Sequence, residues 1–204
     1  NVSSSCDFEL VISEIVQDIR ERGLKPIIHL DMHGSEHNGL AFEPSGEFYP
    51  WQKAFRQFQS VNKELNNNLL VVSAVCFGMK LITPIELQTP TPFHVLLAPN
   101  EKVTLHELFR NVPDFYSAIF SGESIDQARN VLPSMDYFHC EKLLAVTLAR
   151  VVKHTRSEPD RAKRIQRLIS EARATYPNSQ MSDQELNEYF EREIALSLGP
   201  HFIE

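Results

Sequence analysis

Two side chains capable of covalent catalysis stand at the ends of apolar runs in this sequence. His33 follows the run in residues 26–32 (PIIHLDM), and Cys76 follows the run in residues 68–75 (NLLVVSAV). A single amphipathic segment separates the two runs. This order predicts a β-α-β unit, whose parallel strands carry both residues to one carboxyl edge of a sheet. An imidazole beside a thiol at that edge can activate the sulfur as a nucleophile.

Both residues also have a purely structural interpretation. A free cysteine usually behaves as a small buried hydrophobe, and a histidine in a loop often only bonds to the backbone. The neighbouring glycine favours chemistry, because Gly34 lets backbone N–H groups come close to a reacting carbonyl. The N–H groups of Gly34 and Cys76 are therefore candidates for an oxyanion hole.

Three histidines at four-residue spacing raise the question of a metal site. His29, His33 and His37 would share one face of a helix, but Pro26 and Gly34 indicate a strand followed by a loop. Four residues of strand span about 13 Å, whereas zinc lies about 2 Å from each ligating nitrogen. We therefore expect no metal among these histidines. Glycine-rich phosphate or dinucleotide motifs are also missing from the sequence, so no cofactor is expected.

Hydrophobic periodicity, together with glycine, proline and capping residues, predicts the remaining helices and strands. Apolar residues at steps of three and four predict an amphipathic helix over residues 7–22. Glycines and prolines in residues 35–50 favour a small hairpin over the site, and residues 93–98 predict a third strand. From Thr104 onward the pattern predicts only helices. Three capping boxes begin at Thr104, Ser124 and Ser182.

Composition limits the class of protein. A chain of 204 residues with 42% hydrophobic content can bury one main core. A net charge of -7 disfavours nucleic acid or an anionic membrane as the main partner. No run approaches the roughly 20 apolar residues of a membrane span, and no signal peptide is evident, so a cytoplasmic location is expected. Three cysteines, Cys6, Cys76 and Cys140, without C-x-x-C spacing disfavour both a disulfide framework and a thiolate zinc site, so no metal site is expected.

The fold class predicted from these elements is α/β. A sheet of three parallel strands is thin for this amount of helix, and the first residue is Asn1 rather than Met, so we expect the first strands to lie upstream. We expect residues 1–135 to form an N-terminally incomplete core. Residues 136–204 are expected to form a helical extension packed on it.

Two motifs resemble a known family. His-x-x-x-His-Gly in residues 29–34 and Ser-Ala-x-Cys-x-Gly in residues 73–78 are similar to the caspase-like cysteine peptidases, a clan that includes separase, and most closely to its bacterial CHAT-type branch. The likeness covers about residues 8–130. It implies a caspase-like three-layer sandwich with a mainly parallel sheet, His33 as general base and Cys76 as nucleophile. It also implies a protein or peptide substrate and a regulated bacterial defence or processing protease, switched on by a partner or an upstream domain.

Asp31 has two possible roles. It lies on the same side of its strand as His33, because side chains alternate, and a carboxylate there needs a partner. It orients a histidine or caps a loop in one interpretation. In the other it binds a Lys or Arg that precedes the scissile bond, as is general among relatives outside the caspases proper. We expect cleavage after basic residues.

Two interpretations compete with an endopeptidase. The first is a catalytically silent module of the same fold that binds a partner protein, since a fold does not grant activity. The second is a helical adaptor built on the C-terminal half, which leaves the two glycine-flanked strand ends unexplained.

Overall fold

The computed structural model of the 204-residue chain describes residues 2–43, 45–86, 89–156, 158–175 and 181–198. Contacts divide the chain into two compact units, Asn1–Leu143 and Leu144–Glu204. The first unit contains a four-stranded sheet with helices on both faces, and the second is helical.

The sheet of the first unit is mostly parallel. Its strands are β1 (Ile27–Asp31), β5 (Leu70–Ala74), β6 (Val95–Ala98) and β7 (Asp136–His139), in the spatial order β1-β5-β6-β7. The first three strands run parallel, and β7 runs antiparallel to β6. The three predicted apolar strands are confirmed. The prediction that only helices follow Thr104 is wrong, because the short, mostly polar segment of β7 pairs as an edge strand.

Alternating side chains of the central strands supply two separate cores. Val71 and Leu96 belong to the core that includes helices α1 (Ser5–Arg22) and α2 (Trp51–Glu64). Their neighbours Val72 and Leu97 face the opposite core. That core includes residues from helices α3 (Leu105–Phe120) and α4 (Ile125–Ala128). The predicted α/β class is therefore confirmed, with helices covering both faces of the sheet.

Local capping signals fix the helix ends. The Ser4 side chain accepts a hydrogen bond from Asp7 N–H, and Gly23 ends α1 in the left-handed region at φ 66°. The capping boxes predicted at Thr104 and Ser124 both form. The Ser182 hydroxyl likewise exchanges hydrogen bonds with Glu185 at the start of α7 (Asp183–Leu198).

A second, antiparallel sheet follows β1. It consists of β2 (His33–Ser35), β3 (Gly39–Phe42) and β4 (Glu47–Tyr49). The hairpin predicted over residues 35–50 is confirmed, and it extends back to include His33. Leu40 and Tyr49 are buried in the core that includes α1, so this small sheet is anchored to the rest of the unit.

The second unit contains most of α5 (Cys140–Arg156), with α6 (Glu158–Thr175) and α7. Its core consists of Ile165, Ile169 and Leu186, and Phe190 packs against them.

Candidate active site

The predicted β-α-β unit brings His33 and Cys76 to one edge of the sheet. Strands β1 and β5 are parallel and in register, with Asp31 opposite Ala74. His33 and Cys76 each lie two residues beyond these paired positions. Both side chains line one cavity of about 320 Å³. The cavity is also lined by residues at and just after the end of β3, and by residues just before and within the first turn of α3. They are Ala41, Phe42, Glu43, Val103 and Leu108.

Gly34 lies directly against the backbone of the candidate nucleophile. A Cβ atom at this position would lie 2.3 Å from the Cys76 carbonyl oxygen and 2.5 Å from a methyl group of Val75. The backbone after His33 can therefore approach Cys76 only because residue 34 has no side chain. The Trp51 indole N–H donates a hydrogen bond of 3.0 Å to the Ser35 carbonyl, which holds this strand in place.

The backbone turns sharply after Cys76. Phe77 adopts a left-handed conformation at φ 61°, which is uncommon for a residue with a side chain. Its N–H donates to the Glu101 carbonyl at 3.1 Å, and the Gly78 N–H donates to the Val75 carbonyl at 3.0 Å. A short 3₁₀ helix, Gly78–Ile82, begins there. Such a strained turn costs of the order of 1–3 kcal/mol and is concentrated at functional sites.

The Cys76 thiol is partly accessible. The residue is half-buried, and its Sγ lies 3.8 Å from the Val103 carbonyl oxygen, its hydrogen-bond acceptor. Within the described ranges, no hydrogen bond joins Cys76 to His33. Catalytic hydrogen bonds are often long in the absence of substrate.

The His33 side chain is 68% exposed, and its Nε2 lies 3.5 Å from Glu43 Oε1. The position of Glu43 follows from the small sheet, where His33 pairs with Ala41. No pattern in the sequence identifies Glu43 as a site residue, since only the strand register brings it to His33. An exposed pair of this kind contributes between 0 and about 1 kcal/mol to stability.

Asp31 ends β1, is exposed and lines the same cavity. Among the residues that the structure describes, none donates a hydrogen bond to its carboxylate or forms an ion pair with it. In particular, His33 Nε2 contacts the carboxylate of Glu43 and not that of Asp31. The carboxylate thus faces the cavity with its lone pairs available to a ligand.

The three evenly spaced histidines do not form a cluster. His29 Nδ1 lies 2.8 Å from the Tyr116 hydroxyl, while His33 contacts Glu43. Partial burial lowers the pKa of His29, and the charge of Asp31 opposes that change. Burial raises the pKa of Tyr116 to about 12. These contacts indicate that the structural role of His29 is to anchor α3 at the edge of the sheet.

Comparison with known proteins finds no matching family model, no similar curated protein and no similar solved structure. None of the helices that the structure describes combines the length and the apolar character needed to cross a lipid bilayer.

Proposed function

We propose that this chain is a cysteine endopeptidase of the caspase-like class, with Cys76 as nucleophile and His33 as general base. The observation that carries the proposal is the shared cavity. An imidazole and a half-buried thiol line it together, at the edge of a parallel sheet where α/β folds place their sites. Gly34 supports the proposal because its lack of a side chain lets the backbone after His33 lie directly against the backbone of Cys76.

The reaction would proceed in two stages. His33 removes the thiol proton, and the Cys76 sulfur forms a bond to the scissile carbonyl carbon. The N–H groups of Gly34 and Cys76 donate hydrogen bonds to the oxyanion of the tetrahedral intermediate. That intermediate collapses, the amine departs with a proton from His33, and a thioester remains. Water, deprotonated by His33, then attacks the thioester carbon. The carbon–sulfur bond breaks to release the acid, and the Cys76 sulfur recovers the proton from His33.

Asp31 would select the substrate. Its carboxylate lines the cavity without a partner among the described residues, so a Lys or Arg side chain of the substrate can pair with it. We propose cleavage after basic residues of a protein or peptide. Activation by a partner or an upstream domain, as in regulated bacterial defence or processing proteases, belongs to the same proposal.

One observation favours a second candidate function, a catalytically silent module that binds a partner protein. The thiol of Cys76 faces the Val103 carbonyl rather than His33. A carbonyl oxygen does not promote loss of the thiol proton, so an enzyme requires the sulfur and the imidazole to come together when substrate binds. A silent module has no such requirement.

Covalent labelling distinguishes the two functions. The chain is treated with a peptidyl electrophile that carries Arg next to its reactive group, and the modified cysteine is located by mass spectrometry. We expect rapid modification of Cys76, loss of that modification in Cys76→Ala and slow labelling in His33→Ala. The exposed Cys6 serves as an internal comparison for ordinary thiol reactivity. Equal labelling rates at Cys6 and Cys76 would favour the silent module.

A further inference from the structure

A second cluster of reactive side chains lies at the opposite edge of the main sheet. His94 directly precedes β6, His139 ends the antiparallel strand β7, and Cys140 follows it. The pairing of Val95 with His139 and the hydrogen bond from Cys140 N–H to the His94 carbonyl, 2.9 Å, bring the three residues together. Four residues of β6, about 13 Å of strand, separate this edge from the carboxyl edge.

The spacing of the side-chain atoms suits a tetrahedral metal ion. One potential ligand atom from each of His94, His139 and Cys140 lies within 4.8 Å of the others. The His94 Nδ1 to Cys140 Sγ distance is 3.6 Å. Zinc lies about 2.0–2.1 Å from histidine nitrogen and about 2.3 Å from cysteine sulfur, so two tetrahedral ligands of these types are about 3.5 Å apart. The observed separation agrees with that value.

An unsatisfied buried nitrogen points independently to a ligand. His139 Nδ1 is buried and has no hydrogen-bond partner among the residues that the structure describes. Buried polar atoms without a partner are rare, because each costs about 1–3 kcal/mol. Coordination of a cation would satisfy such a nitrogen.

The side-chain amide of Asn67 lies against the Cys140 sulfur. Asn67 Nδ2 lies 3.3 Å from Cys140 Sγ, closer than Asn67 Oδ1 at 3.8 Å. That Oδ1 already accepts hydrogen bonds of 2.9 Å from Asn62 and from Thr91, so the Asn67 amide is fixed with its N–H groups toward the sulfur. Outer hydrogen bonds of this kind orient and tune metal ligands.

We propose that His94, His139 and Cys140 bind a zinc-class transition metal, with Glu141 as the fourth ligand. Mixed nitrogen and sulfur ligands select Zn²⁺ over Mg²⁺ or Ca²⁺. Glu141 Oε1 lies 3.9 Å from His94 Nδ1, and its exposed side chain is free to turn toward the ion. The neighbouring cation of Lys142 is engaged by Asp126 at 2.6 Å.

The metal would stabilise the folded chain and would not act on a substrate. Cys140 is only 7% exposed, which suits a ligand better than a nucleophile. The ion would join β6, the short edge strand β7 and the start of α5. At free zinc one hundred times the dissociation constant, binding would lower the unfolding equilibrium constant about 100-fold. This proposal is independent of the proposed peptidase activity.

Cobalt spectroscopy on the full chain tests the site, since Co²⁺ bound by a thiolate gives sulfur-to-metal charge-transfer absorption. The key variant is Cys6→Ser/Cys76→Ser, which leaves Cys140 as the single thiol of the chain. We expect it to bind one equivalent of Co²⁺ with that band, to release it to one equivalent of Zn²⁺, and to melt at a higher temperature with Zn²⁺ than with EDTA. Mg²⁺ should produce no shift.

The ligand variants complete the test. His94→Ala or Cys140→Ser, made in the wild-type chain, should lose the charge-transfer band. The proposal is overturned if the single-thiol protein shows no such band, or if the band persists in a folded Cys140→Ser protein. Because the single-thiol protein keeps all three ligands, its result stands even if a ligand variant fails to fold.

Discussion

Gly34→Ala is the substitution for which the structure predicts the sharpest effect. Gly34 is not among the glycines with positive φ, so alanine meets no backbone strain there. The added Cβ would instead lie 2.3 Å from the Cys76 carbonyl oxygen, whereas Cβ atoms essentially never approach within 3.0 Å of such an atom. The two backbones must therefore separate by at least about 0.7 Å, the difference between these distances.

That displacement has two consequences. Overpacking of this kind costs about 1–3 kcal/mol of stability. It also moves His33 and one proposed oxyanion donor away from Cys76, and a misplacement near 1 Å costs about 10²-fold in rate. Urea unfolding measures the first effect. The rate of Cys76 labelling by an arginyl electrophile, corrected for the folded fraction, measures the second.

Gly46→Ala provides the matched control. Gly46 has a positive φ of 69° and no atom within 4 Å of the added Cβ, so alanine introduces strain without a contact. We expect Gly46→Ala to lose about 1–2 kcal/mol of stability and to keep the labelling rate of the folded protein. If Gly34→Ala labels within twofold of wild type, or Gly46→Ala slows labelling equally, the reasoning about close approach is refuted.

Three further predictions concern neighbouring side chains. Asp31→Asn should slow cleavage of peptides with Arg or Lys before the scissile bond and spare other peptides; an equal loss on all peptides, or a wild-type preference for Asp, would count against the pocket role. Ser73 is fully buried and its hydroxyl has no partner among the described residues, so Ser73→Ala should keep or raise stability by about 1 kcal/mol in urea unfolding; a clear loss contradicts this. In the folded chain the pKa of His29 lies below its ordinary value of 6.5. Just below pH 6.5 the unfolded chain therefore binds more protons than the folded chain. Stability should therefore fall as pH drops below 6.5, and His29→Gln should flatten this dependence in melting curves between about pH 5 and 7; an unchanged slope contradicts it.

Local signals in the sequence predicted the elements that position the site. The α1 helix carries a regular apolar stripe and a glycine stop, and two apolar runs became β1 and β5. Strand β7 was missed because its four residues contain no apolar run, and it forms only through pairing with β6.

Tertiary structure brings together the residues around each site, so sequence patterns do not identify them. Glu43 reaches His33 only through the register of the small antiparallel sheet, which hydrophobic patterning does not specify. His94 and Cys140 are 46 positions apart, so no motif spacing joins them. His29 and His33, in contrast, lie on separate strands and contact different residues, Tyr116 and Glu43.

The most direct test of the central claim is the hydrolysis of an arginyl peptide by four proteins: wild type, His33→Ala, Cys76→Ala and the double variant. Circular dichroism checks that each is folded, which we expect because neither side chain lies in the core. If the two residues act as one unit, Cys76→Ala should abolish hydrolysis, His33→Ala should reduce it about 10²–10⁴-fold, and the double variant should lose little beyond Cys76→Ala. Hydrolysis by Cys76→Ala at the wild-type rate would contradict the proposed function.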